Sequence, residues 1–98
     1  GRILKRELAA RDLSANRLAI GLRVPSGRIT DILNGKRGIT PETALRLARF
    51  FGTSADFWMN LQSRYDLTLA EQSIGARITA EVEHATSTAP ARKRRNAA

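Results

Sequence analysis

Apolar and polar positions alternate along the first half of this chain at the spacing of short helices, with breaks between them. Ile3, Leu4 and Leu8 stand at i, i+1 and i+5 among charges, which predicts a first helix over about 3–11 with one buried face. Asp12, Leu13 and Ser14 break it. The Ser14 hydroxyl suits the N-cap of a second helix over about 15–22, with Leu18, Ala19 and Leu22 inward. A turn follows at Arg23, Val24 and Pro25, because the residue before a proline is pushed out of the helical region. A third helix starts near Pro25 or Ser26 and runs to about Leu33, ended by Asn34 and Gly35, which both tolerate a left-handed backbone. Lys36 to Ile39 reads as a loop. Thr40, Pro41 and Glu42 then open a fourth helix: a capping hydroxyl, a proline suited to the first helical position, and an acid that complements the positive end of the dipole. That helix carries Ala44, Leu45, Leu47, Ala48 and Phe51, and Gly52 stops it. Ser54 caps a fifth helix holding Phe57, Trp58, Leu61 and Tyr65.

Past Tyr65 the pattern supports two readings. Ile74, Ile78 and Val82 repeat every four residues, as one stripe of a helix does. Ile78, Ala80 and Val82 also alternate like a strand, and Gly75 weakens both readings; helix is preferred. From about Ala85 the chain is small, polar and basic, which predicts a disordered tail. The expected fold is all-α, a bundle of five to six helices. Residues 1–70 form its main domain, 71–85 a helical extension offered to a dimer or partner contact, and 86–98 the basic tail.

Composition narrows the function classes. Ninety-eight residues, 42% of them hydrophobic, make one domain with a real core. There is no cysteine and one histidine, His84, so disulfides, zinc fingers, a Cys nucleophile and a His-based metal site are excluded. The carboxylates are scattered and no Gly-rich loop cradles a phosphate, so no catalytic residue, cofactor or metal is expected. No apolar run approaches the ~18–20 residues of a membrane span and no secretory leader is visible, so no membrane partner is expected. Absence of cysteine suits the cytoplasm. The chain begins at Gly1 rather than Met, and residues upstream of it are expected.

Charge changes the picture most. The net charge is +8, and it is unevenly placed. Residues 1–38 hold nine basic and three acidic side chains, residues 39–91 four basic and six acidic, and residues 92–98 four basic. A basic first half points to a polyanion on one face of the fold.

Two short helices joined by a tight turn, in a basic all-α domain, fit a helix-turn-helix. A twenty-residue frame laid from Ala15 to Asn34 tests the fit. The motif wants apolar residues at its fourth, eighth, tenth, fifteenth and eighteenth places, which here are Leu18, Leu22, Val24, Ile29 and Ile32. It wants a small fifth residue where the helices cross, and Ala19 supplies it. The ninth place favours glycine, and this chain has Arg23. A left-handed backbone there costs Arg on the order of 1 kcal/mol relative to Gly. Two ordinary amphipathic helices of a small bundle would satisfy some of these places by chance, but have little reason to satisfy six of the seven.

The third helix is then the one that enters the major groove. With Ile29 at the centre of its buried face, Ile32 and Leu33 join that face, and Gly27, Arg28, Thr30, Asp31 and Asn34 form the other. Arg28 can donate two hydrogen bonds to the O6 and N7 of a guanine, or contact a phosphate. Asp31 can accept from a cytosine amino group, or fix Arg28 one turn away; the second role is preferred. Gly27 lets the backbone approach a duplex closely, or is a mere helix defect. Ser26 reaches a base or phosphate unless it is engaged as N-cap, and Thr30 can touch a thymine methyl. Asn34, Lys36 and Arg37 at the end and in the loop suit phosphates, as does Arg17 on the second helix. Arg2, Lys5 and Arg6 read as a solvated face. One recognition helix offers few base contacts, so specific binding calls for a two-fold dimer on a palindrome, with half-sites about 34 Å apart. Phe57, Trp58, Leu61, Tyr65 and the Ile74/Ile78/Val82 stripe are candidates for its surface, although Phe57 and Leu61 more readily close the monomer core.

The segments L-S-A-N-R-L-A (13–19), V-P-S-G-R-I-T-D-I-L-N-G-K-R-G-I-T (24–40), T-A-L-R-L-A-R-F-F-G-T-S (43–54) and F-W-M-N-L-Q-S-R-Y-D-L (57–67) together resemble the HigA-type antitoxins. These belong to the Cro/repressor-like helix-turn-helix proteins of the XRE superfamily. The resemblance covers about residues 1–70. It implies a protein that binds and blocks a HigB-type RNA-cleaving toxin and represses its own operon by binding double-stranded operator DNA as a homodimer. The chain departs from the family pattern at Arg23, and at Ala15, where a polar side chain often touches DNA; the segment that usually precedes this stretch is absent. Two alternatives remain at the sequence level: a solitary repressor without a toxin, and a toxin-neutralising module without DNA binding.

Overall fold

In the computed structural model, which describes residues 1–85, the chain forms five helices: α1 (Arg2–Ala10), α2 (Ala15–Leu22), α3 (Ser26–Leu33), α4 (Pro41–Phe51) and α5 (Ala55–Glu81). No strand occurs among the described residues. The basic tail expected over 86–98 lies outside them. Residues 1–66 make one compact unit, and the described residues from Leu67 to Ala85 belong to a second.

The helix starts follow the chemistry of their capping residues. Ser14 Oγ accepts from the Arg17 amide at 3.0 Å, Thr40 Oγ1 from Thr43 at 3.3 Å and Ser54 Oγ from Phe57 at 3.1 Å. Pro41 sits in the first turn of α4 with Glu42 beside it. Pro25, not Ser26, takes the cap position of α3, so the Ser26 hydroxyl makes no capping bond.

The ends of α1 to α4 share one geometry. Asp12, Arg23, Gly35 and Gly52 all have positive φ, at 52°, 62°, 75° and 71°. After each, the next amide reaches back five residues: Leu13 to Leu8, Val24 to Ala19, Lys36 to Asp31 and Thr53 to Ala48, at 2.8–3.0 Å. This is the Schellman closure, in which a left-handed residue lets the chain satisfy carbonyls left open at the helix end. Asn34 stays at φ −91°, so Gly35 alone takes the left-handed position after α3.

The core of the first unit gathers one stripe from each helix. Leu4 and Leu8 of α1, Leu18, Ala19 and Leu22 of α2, Ile29 and Ile32 of α3, Ala44 and Leu47 of α4 and Trp58 of α5 are all buried. Each large side chain among them contributes about 1.5–3 kcal/mol on leaving water. Trp58 donates its indole N–H to Thr53 Oγ1 at 2.7 Å, so its polar edge is satisfied inside the core. Trp58 is therefore not the surface residue that a dimer contact would need. Phe57, expected to close the core, is 42% exposed and meets the Trp58 ring edge-on at 5.0 Å. Adjacent helical positions point about 100° apart, and the core took the indole. Leu61 is half-buried against the core, as expected.

α5 is one helix of 27 residues that contains Ile74 and Ile78 and ends at Glu81, just before Val82, so the helical reading of this stretch holds up to that point. Ile74 is half-buried, while Ile78 and Val82 are exposed.

Candidate nucleic-acid interface

α3 is held from behind by Ile29 and Ile32, at 0% and 2% exposure, against α2 and the rest of the core. That leaves Ser26, Gly27, Thr30 and Asn34 exposed on its other side, with no large apolar side chain among them. Beyond its chain neighbours and the backbone of its own helix, a methyl group built on Gly27 would meet nothing within 4 Å, so no packing contact requires glycine there. Thr30 donates its hydroxyl to the Ser26 carbonyl at 3.2 Å, which leaves the methyl as its contact group.

Arg28 and Asp31 are half-buried at the margins of this face. They do not form the ion pair expected from their spacing. The only ion pairs among the described residues are Glu7–Arg11, Glu42–Arg46 and Arg77–Glu81. Asp31 acts through its main chain instead. Its carbonyl accepts from the Lys36 amide at 2.8 Å and the Arg37 amide at 3.2 Å, which folds the following loop back over the end of α3. Lys36 and Arg37 are exposed in that loop, next to Asn34. Arg17 is exposed in the first turn of α2. Of the other basic residues, Arg2, Lys5 and Arg6 are exposed along α1. Arg11 is tied to Glu7 at 3.1 Å and lies over the Phe51 ring at 4.8 Å, a structural cation–π contact.

Two residues that position this surface are not evident from the sequence. Arg46 of α4 donates to the Leu22 carbonyl, at the end of α2, at 2.9 Å. Gln62 of α5 accepts from the Ile39 amide, at the end of the loop, at 2.7 Å. The Glu42–Arg46 spacing is legible in the sequence, but both key partners are main-chain groups.

No group of three His, Cys, Asp or Glu side chains that could hold a metal is found among the described residues. No helix among them is long and apolar enough to cross a membrane.

Comparison with known proteins places this geometry. A family model described as helix-turn-helix matches residues 4–58. The virulence-associated protein I of Dichelobacter nodosus is 51% identical over 73 residues, covering 74% of this chain and 68% of that protein. A solved addiction module antidote protein of a HigA family from Coxiella burnetii is 52% identical with a TM-score of 0.82, covering 84% of this chain and 90% of that one. The Pseudomonas aeruginosa antitoxin HigA, solved with the higBA promoter, is 45% identical with a TM-score of 0.79, covering 83% and 89%.

Proposed function

The chain belongs to the helix-turn-helix family and, within it, to the HigA-family antitoxins, and from that membership we propose that it is an antitoxin that represses its own operon. It binds a palindromic operator as a homodimer, with α3 of each copy in the major groove, and neutralises a HigB-type toxin. It works in the cytoplasm, by binding and without catalysis.

The observation that carries the DNA arm is the division of α3. Its apolar side is fully engaged in the core, and its other side is polar, exposed and backed by Lys36 and Arg37. In this reading Arg28 reads a base at the margin, and Gly27 and the Thr30 methyl allow close approach to base edges. Ser26, Asn34, Lys36, Arg37 and Arg17 hold phosphates, and the Asp31 side chain faces a cytosine amino group. The Pseudomonas aeruginosa relative solved with the higBA promoter supports a DNA-binding role. Exposed Phe57 and Tyr65 of the first unit supply apolar surface for a second copy or the toxin, and Leu67, Leu69, Ile78 and Val82 of the second unit supply a separate one.

Footprinting on the DNA upstream of the chain's own gene tests the proposal. Protection of an inverted repeat is expected. An unprotected upstream region at low salt would leave a toxin-binding module without a DNA role.

A further inference from the structure

The loop from Lys36 to Ile39 is tied at both ends by single acceptors. At the front, the Asp31 carbonyl takes the Lys36 and Arg37 amides. At the rear, Gln62 Oε1 takes the Ile39 amide at 2.7 Å, across 23 residues of sequence. An amide N–H can only donate, so Gln62 must present its oxygen to Ile39 and turn its NH₂ away. On that side Asp66 Oδ1 accepts from Gln62 Nε2 at 2.9 Å. A Cβ at Gly38 would stand 3.0 Å from Gln62 Nε2 and 3.1 Å from its Cδ, so the bare glycine lets the side-chain amide lie flat on the loop. Tyr65, the residue before Asp66, brings its hydroxyl within 3.6 Å of where a Gly35 Cβ would be.

We propose that Gln62, oriented by Asp66, is the positioning residue that fixes the loop carrying Lys36 and Arg37, and so sets phosphate contact from α5 without touching DNA. The proposal rests on the operator-binding reading above. Its chemistry is a relay of one donor and one acceptor. Gln62→Glu keeps the acceptor for Ile39 but sets a second carboxylate against Asp66. Adding Asp66→Asn restores a donor on that side and so the whole relay.

The test uses the full chain and the duplex defined by footprinting. For Gln62→Leu, amide exchange at Ile39 quickens. Operator affinity falls roughly tenfold, the scale of one charge-assisted hydrogen bond. The plot of log affinity against log salt becomes shallower by about 0.9 for each phosphate that the loop no longer neutralises. Gln62→Glu alone behaves alike, and the double variant Gln62→Glu/Asp66→Asn returns both exchange and salt slope toward the parent. A helix that had merely become less stable would lower the melting temperature and leave the salt slope alone. An unchanged slope in Gln62→Leu, with Ile39 exchange quickened, overturns the proposal while operator binding stands. So does a double variant no better than Gln62→Glu. Failure of the underlying reading shows earlier and separately, as a parent chain that protects no duplex.

Discussion

The Arg46 guanidinium reaches from α4 to the last carbonyl of α2, where its Nη1 donates to the Leu22 oxygen at 2.9 Å. The same side chain is steadied by Glu42 at 3.0 Å. A cation at a helix C-terminus is favoured by the dipole as well as by the hydrogen bond. The contact lies one residue before the turn between α2 and α3, so it fixes the point from which α3 departs.

Arg46→Met removes that hydrogen bond and keeps most of the apolar stem. The expected destabilisation is about 1–2 kcal/mol, at the low end for a charged hydrogen bond because the group is partly exposed. The surface pair with Glu42 adds only about 0.3–0.5 kcal/mol. Urea unfolding should show a lower midpoint at unchanged slope. A midpoint equal to the parent's would mean water replaces the guanidinium at no cost.

Arg23→Gly should act the other way. Arg23 holds φ 62° in the Schellman closure after α2, a conformation glycine adopts without Cβ strain. The gain is about 0.5–1 kcal/mol, offset in part by the greater freedom of glycine in the unfolded chain. A lower unfolding midpoint would show that the Arg23 side chain makes a contribution larger than the strain it carries.

Gly27→Ala separates fold from interface. The position is exposed and an added methyl would meet nothing within 4 Å beyond its own helix and chain neighbours, so alanine should stabilise the free protein by up to about 1 kcal/mol through helix propensity. Operator affinity should fall, because the added methyl stands where the duplex comes close. Improved stability with undiminished affinity would place the DNA elsewhere.

Arg28→Ala should weaken operator binding by ~1–3 kcal/mol and relax preference at one base pair, as expected for a base contact. Competition between operator variants and random duplex reads this directly. An equal weakening on every sequence would reassign Arg28 to a phosphate.

Most of this architecture was legible because local signals agreed. Ser14, Thr40 with Pro41, and Ser54 each named a helix start, and the spacing of Leu18, Leu22, Ile29 and Ile32 named the faces that meet. What the sequence hid has a common cause. Arg46 and Gln62 bond to main-chain groups of Leu22 and Ile39, and a backbone carbonyl or amide carries no side-chain identity to match. Asp31 misled for the same reason, since its spacing from Arg28 advertised an ion pair while its carbonyl closed the loop. Phe57 and Trp58 are neighbours of similar character, and only the docking of α5 decides which one turns inward.

Trp58 is the one tryptophan in the chain, it is 1% exposed, and Phe51 and Phe57 flank it at 5.7 and 5.0 Å. The molecule thus carries its own fluorophore at the centre of residues 1–66. An indole sheltered from water should emit at shorter wavelength than one exposed when the surrounding helices part. The unfolding of each variant above can be followed by light alone, with no dye attached to the surface.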